Sequence, residues 1–432
     1  MEKFFKLKEH GTDVKTEIIA GITTFMTMAY ILAVNPMLLG AAGMDAGGVF
    51  TATALSAGVA TIIMALYAKY PFALAPGMGL NAYFAFTVCL GLGYDWQFAL
   101  TAVLVEGFIF IILSLLKARE AIFDLIPLSL KKAVSAGIGL FIALIGLHNA
   151  GIIVGNEATL VGLGKLTENP AIVAICGLLI ISILYARNVK GALLIGIIAS
   201  TIIGIPLGVT ELPESFQIFS LPPSLSNVAF KFVGFDQIMT KEFWIVVATF
   251  LFVDIFDTVG TLAGVASKSG MLDKDGKLER VSQALTADSI GTIFGACMGT
   301  STVTTFVESS AGVAEGGRTG LTSLTTAIMF LLALFIAPLF AIIPGAATAP
   351  ALIIVGVFMM SQVGEIDWHD LTEAVPAFLA IAMMPFAYSI AEGIVFGIIS
   401  YTIVKSFTGK AKDVSILMWI LSILFVLRYI FL

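Results

Sequence analysis

The stretch Ala75-Pro76-Gly77-Met78-Gly79-Leu80-Asn81-Ala82-Tyr83-Phe84 decides how this chain folds, because it is apolar yet too broken for a continuous helix. Pro76 removes a helical donor, and Gly77 and Gly79 relax the backbone. A second such stretch, Gly299-Thr300-Ser301-Thr302-Val303-Thr304-Thr305-Phe306-Val307-Glu308-Ser309-Ser310-Ala311-Gly312, is β-branched, rich in hydroxyls and a poor helix former. Each reads as a short extended run followed by a half-helix. At membrane depth such backbone survives only when it is buried in protein or lines a cavity, where its N–H and C=O groups can meet a ligand. Interrupted segments at corresponding places in two halves point to a transport site. The competing reading is a pair of packing kinks.

The rest of the sequence supplies the membrane. Of 432 residues, 59% are apolar and only 12% are Asp, Glu, Lys or Arg, about half the charged share of a soluble domain. The mean hydropathy is +1.02, so lipid must solvate this chain. An ordinary soluble enzyme, a disordered chain and a nucleic-acid binder are excluded. With a formal charge of -6, no basic stripe exists to neutralise phosphates. Cys89, Cys176 and Cys297 are far apart in apolar sequence and suggest core packing rather than a disulfide framework or metal site. Neither a cofactor nor a bound metal is expected. The charged, amphipathic opening Met1 to Glu17 does not read as a cleavable signal.

A spanning helix needs about 20 mostly apolar residues. Spans are expected near 17–39, 48–68, 72–93, 96–116, 132–154, 170–186 and 190–209, then near 243–266, 281–299, 300–317, 320–343, 346–362, 371–387 and 388–406. A further apolar segment near 414–431 reads as a fifteenth span or an interfacial helix. With residues 1–16 inside, this topology places 19 of the 23 basic residues inside, leaving Lys165, Lys231, Lys241 and Arg428. The positive-inside rule supports that orientation. Seven spans (17–209) precede a polar extracellular linker (210–242) and seven follow it (243–406), with a C-terminal segment at 407–432. An odd number per half forces the second half to enter in the opposite sense, which is the arithmetic of an inverted repeat. Thr24-Phe25 matches Thr249-Phe250, and Tyr83-Phe84 matches Phe306-Val307, at offsets of about 220–225 residues.

Acids inside spans are costly and are functional candidates by default. Asp254 and Asp257 stand three apart in Phe252-Val253-Asp254-Ile255-Phe256-Asp257-Thr258, which puts both carboxylates on one helix face. Two acids so placed in low dielectric do not ionise independently. Glu308 lies in the second broken stretch. Together the three could accept N–H groups from a planar heterocycle and carry a proton; alternatively they only pair with Thr258, Thr304 or Thr305. Asp288 and Glu392 read as residues near span ends. Glu106 is deeper, with no evident partner. His10, His148 and His369 suggest solvated, capping or interfacial positions. The glycines of 312–320 lack the Lys-Ser/Thr of a phosphate cradle and suit close helix packing.

Gly21-Ile22-Thr23-Thr24-Phe25-Met26-Thr27-Met28-Ala29-Tyr30-Ile31 with Asn35-Pro36, together with the 75–84 stretch, resembles the azaguanine-resistance-like purine permeases of the nucleobase/ascorbate transporter superfamily, a branch that includes guanine/hypoxanthine permeases. The resemblance covers nearly the whole chain. It implies an all-α polytopic membrane protein of about 14 transmembrane segments in two inverted seven-span repeats. Short β-strands in broken segments 3 and 10 cross near the substrate. Spans 1–4 and 8–11 would form a core domain, and spans 5–7 and 12–14 a gate domain. By motif match, Asn81, Asp254, Asp257 and Glu308 correspond to substrate and proton-coupling positions, and Phe84 and Val307 to strand positions facing the base. Uracil and xanthine relatives often carry a histidine just after the eighth-span carboxylate, where this chain has Thr261; no histidine-dependent proton step carries over.

The combined expectation is a multi-pass protein of the plasma (inner) membrane, with a cytoplasmic N-terminus and no enzymatic activity. It would import purine bases, hypoxanthine and guanine foremost and adenine as a further candidate, by proton symport. Phe84 and Phe306 would stack on the base, Asp257 and Glu308 would accept its ring N–H groups, and Asp254 and Asn81 would set geometry or protonation. The partners are then the purine, a coupling proton and lipid, with a homodimer through the gate domain plausible. Another small planar or anionic solute is the first alternative, although three acids and no Lys or Arg at the crossing argue against anions. An intramembrane aspartyl protease is the second, although two acids on one helix cannot face each other as a dyad.

Overall fold

The computed structural model describes residues 2–116, 125–156, 159–213, 217–269, 271 and 278–431. Lys117, Arg119, Lys274 and Lys277, part of the charge count above, lie outside the described residues, as do linker residues 214–216 and the side chains of Lys3, Lys268 and Arg428. The chain is an all-α membrane protein of two inverted repeats. Eight of its described helices are long and apolar enough to cross a bilayer. The remaining crossings are the continuous helices of spans 8 and 9 and several shorter or interrupted segments.

Span 1 is Val14–Met28 followed, after Ala29 and Tyr30, by Ile31–Ala41. Span 2 is Ala46–Ala68, with π geometry over Met64–Ala68. Span 3 is strand β1 (Leu74–Pro76) and the helical run Met78–Gly91. Spans 4 to 7 are Trp96–Leu115, Leu128–Asn149, Asn169–Ala186 and Ala192–Gly204. Spans 8 and 9 are Lys241–Ser269 and Val281–Met298. Span 10 is a strand, Val303–Thr305, and a short half-helix, Ser309–Ala314. Spans 11 to 14 begin at Gly320, Gly345, Leu371 and Ile390. The last apolar segment is a helix, Ile416–Phe431, lying against span 14. The sequence reading missed a hairpin between spans 5 and 6, β2 (Ile153–Asn156) with β3 (Leu160–Leu163). Its apolar Ile-Val start looked like the end of span 5.

The two broken segments meet. The strand of span 10, β4, pairs antiparallel with β1 in the register Leu74↔Thr305, Ala75↔Thr304, Pro76↔Val303. A two-stranded sheet inside a membrane protein leaves two edges that lipid cannot satisfy. Each is closed by a threonine. Thr61 of span 2 accepts from Leu74 N at 2.9 Å and donates to Leu74 O at 3.2 Å. Thr292 of span 9 accepts from Val303 N at 3.2 Å and donates to Val303 O at 3.0 Å. The two clamps are equivalent under the inverted repeat. Beyond the strands, Gly77 N donates to Thr302 O and Phe306 N to Ala73 O, each at 3.0 Å.

The helices pack as two groups. Spans 5, 6, 7, 12, 13 and 14 pack on one another, as do spans 1–4 with 8–11. Glycines set close approaches within the first group: a Cβ on Gly139 would lie 2.8 Å from Gly356 O.

Candidate functional site

The crossing strands sit against the acidic face of span 8. Asp254 is fully buried, and its Oδ1 accepts from Thr258 at 2.6 Å. The same hydroxyl lies 3.2 Å from Asp288 Oδ2 and 3.1 Å from Thr304 Oγ1. Asp257, three residues along, is partly exposed, and its Oδ2 stands 3.5 Å from Thr304 Oγ1. Gly77 is what lets span 3 pass so near. A Cβ there would lie 2.3 Å from Thr304 Cγ2 and 3.2 Å from Asp257 Oδ2.

Glu308 is also partly exposed, at the start of the span 10 half-helix. Its Oε1 accepts from Tyr30 OH of span 1 at 2.8 Å. Asp254 and Asp257 are linked through Thr258 and Thr304, and Glu308 follows the same strand three residues beyond Thr305. Among the described residues, no lysine or arginine pairs with Asp257 or Glu308. Val307, beside Glu308, is 43% exposed.

The other residues singled out in the sequence are placed as follows. Asn81 is fully buried; its Oδ1 accepts from Ser301 and its Nδ2 donates to Pro76 O at 3.3 Å. Its side chain thus ties the half-helix of span 3 to the end of β1 and to the stretch just before the strand of span 10. Phe84 and Phe306 belong to the main apolar cluster and are almost sealed, Phe84 completely. Glu106 has a partner after all: Thr302 Oγ1 donates to its Oε2 at 2.8 Å, behind the strands. Asp288 corrects the reading of a span-end residue. It lies about two turns inside span 9, fully buried, with Oδ2 3.2 Å from the Thr258 hydroxyl as a polar neighbour.

Two residues that sequence reasoning passed over matter here. Tyr30 stands in the 21–31 motif with no role assigned to it there. Glu17 sat at the edge of the charged opening, yet it is fully buried. Its carboxylate accepts from Thr319 Oγ1 at 2.9 Å, Thr322 Oγ1 at 2.7 Å and the N–H groups of Arg318, Thr319 and Thr322 at 2.8, 3.3 and 3.0 Å. It caps the start of span 11, where the helix presents unsatisfied donors. The only sequence signal was a carboxylate spaced to enter the first turn of span 1.

Chemically, the site offers carboxylate oxygens, threonine hydroxyls and strand backbone and, among the described residues, no cation. It suits a ligand rich in N–H donors and disfavours an anion.

The permease family model, Xan_ur_permease, matches residues 15–396. The chain is 52% identical over 434 residues to a Methanocaldococcus jannaschii protein named as permease MJ0326, covering 100% of this chain and 98% of that one. It is 46% identical to the guanine/hypoxanthine permease PbuG of Bacillus subtilis, covering 100% of each. To the adenine permease AdeP of Escherichia coli K12 it is 45% identical, covering 100% of this chain and 96% of AdeP. Among solved structures, the transmembrane domain of the cyanobacterial bicarbonate transporter BicA superposes with a TM-score of 0.67 at 19% identity, covering 88% of this chain and 97% of that one. Murine Slc26a9, an anion transporter in the inward-facing state, gives 0.65 at 14% identity, covering 91% and 68%. Those two likenesses speak to the fold alone.

Proposed function

The chain belongs to this permease family, a transporter rather than an enzyme, and on that premise we propose that it imports purine nucleobases by proton symport, with hypoxanthine and guanine as the main substrates. The observation that carries this reading is the pair of partly exposed carboxylates, Asp257 and Glu308, beside the strand crossing without a cation. A bound purine would donate its ring N–H groups to them, with Phe84 and Phe306 on its faces, Val307 beside it and Asn81 holding the half-helix of span 3. Asp254, linked to Asp257 through Thr258 and Thr304, would share the coupling proton with Asp257 and Glu308. Adenine stays a candidate because AdeP and PbuG are almost equally similar to this chain.

In this reading the group of spans 1–4 and 8–11 is the core that carries the site. The group of spans 5–7 and 12–14 is the gate against which it moves, and two gates meet in a homodimer. The protein would lie in the plasma membrane with its N-terminus in the cytoplasm. An anionic cargo is disfavoured because carboxylates would repel it.

The test is uptake of labelled hypoxanthine in cells lacking their own purine transporters, at two external pH values. Acidic medium should speed uptake by the wild-type protein. Glu308→Gln and Asp257→Asn should each lower it roughly tenfold or more, since each removes a charged hydrogen-bond acceptor. Uptake unchanged in both variants, with normal amounts in the membrane, would reject the site.

A further inference from the structure

Span 1 is built of two helical runs. Its two helices meet at Ala29 and Tyr30, and the Tyr30 side chain is 1% exposed. The phenol reaches span 10 and donates to Glu308 Oε1 at 2.8 Å. Apart from Tyr30, no side chain among the described residues hydrogen-bonds the Glu308 carboxylate. The approach is enforced from below. A Cβ on Gly312 would lie 2.1 Å from Thr24 Oγ1 and 2.5 Å from Ala20 O, so the half-helix of span 10 rests directly on span 1. Thr27 Oγ1 adds a long contact of 3.5 Å to Glu308 O.

We propose that Tyr30 is a positioning residue of the transport site: its hydroxyl occupies one oxygen of Glu308 and turns the other toward the substrate, so that the carboxylate takes one ring N–H rather than two adjacent donors. The proposal rests on the reading of Glu308 as a purine acceptor. A carboxylate with both oxygens open can bind two donors side by side. Guanine presents such a pair, its ring N–H and the neighbouring exocyclic amine; hypoxanthine presents the ring N–H without the amine. Tyr30 therefore acts on affinity and on the choice between these two bases.

Tyr30→Phe removes one oxygen atom and keeps the ring. The measurement is uptake of labelled hypoxanthine, with unlabelled guanine as competitor, beside wild type and Glu308→Gln. The KM for hypoxanthine should rise roughly tenfold while the maximal rate stays within about twofold, and guanine should gain as a competitor. KM and competition ratio both unchanged, in a variant that reaches the membrane, would overturn the proposal. So would an equal loss for both bases with a lower melting temperature, because that is the signature of packing alone. Should Tyr30→Phe not accumulate, 3-fluorotyrosine at position 30 keeps the ring and hydroxyl but changes donor strength, and an unchanged KM there would overturn it. If instead Glu308→Gln transports hypoxanthine normally, the purine site itself is wrong, and Tyr30 falls with it for a separate reason.

Discussion

Single side chains close the edges of a sheet that lipid cannot solvate. Thr61 and Thr292 each satisfy one N–H and one C=O on the outer edge of a strand. Thr292→Val keeps the shape and removes both partners from Val303. Leaving a buried polar group unmade costs about 1–3 kcal/mol, so this variant should lose about 2 kcal/mol or more, read as a lower melting temperature in detergent. Thr292→Ser, which keeps the hydroxyl, should lose much less. Thr61→Val should behave like Thr292→Val, because the repeat makes the two positions equivalent. A melting temperature unmoved by either valine would mean that the clamps carry no load. At this scale, part of the candidate site is readable in the sequence. The Asp254/Asp257 spacing and the hydroxyls of span 10 were visible as pattern. Tyr30, Glu17 and the partners of Glu106 and Asp288 were not, because each depends on a residue roughly 30 to 300 positions away.

Elements are placed by close approaches that a glycine permits. Gly77 allows span 3 to pass Thr304 and Asp257, and Gly312 allows span 10 to rest on span 1. In neither place can backbone yield to a methyl group without moving the strand crossing or the Tyr30–Glu308 contact. Overpacking of this kind costs about 1–3 kcal/mol. Gly312→Ala should therefore both lower the melting temperature and weaken substrate uptake. Gly40→Ala is the control: nothing lies within 4 Å of a Cβ there, and alanine favours a helix. Equal effects at positions 40 and 312 would refute the argument from close approach. The broken spans 3 and 10 were legible because proline, glycine and β-branched residues oppose a helix wherever they stand. The interruption of span 1 was not, since Ala29-Tyr30 carries no breaker. The β2–β3 hairpin was hidden for the opposite reason: an apolar strand and an apolar helix end have the same composition.

At the scale of the whole molecule, the two helix groups are held by different chemistry. Spans 1–4 and 8–11 are joined by buried hydroxyl and backbone bonds. At one end of the other group, ion pairs gather: Lys405 with Glu373 at 2.5 Å, Lys132 with Glu365 at 2.8 Å and Lys410 with Asp370 at 2.7 Å. Ser129 of span 5 also donates to Glu373, so spans 5, 13 and 14 are tied together there. These pairs stiffen that end of the group. Lys410, together with Thr372, holds the Asp370 carboxyl well below the usual carboxylate range, while Asp370 raises Lys410. The sign follows from linkage. Asp370 contributes in full above its unfolded value of about 3.9 and loses that contribution as pH falls through the lower folded value. Lys410 contributes below about 10.4 and fades only as pH rises past its raised folded value. Asp370→Asn should therefore melt below wild type by a gap that is steady from about pH 5 to pH 10 and closes in strong acid, where both side chains are neutral. Solvent reaches the pair, whose side chains are 42% and 29% exposed, so salt should narrow the gap. A gap that persisted undiminished in strong acid would assign Asp370 to capping the start of span 13 and not to holding its charged partner.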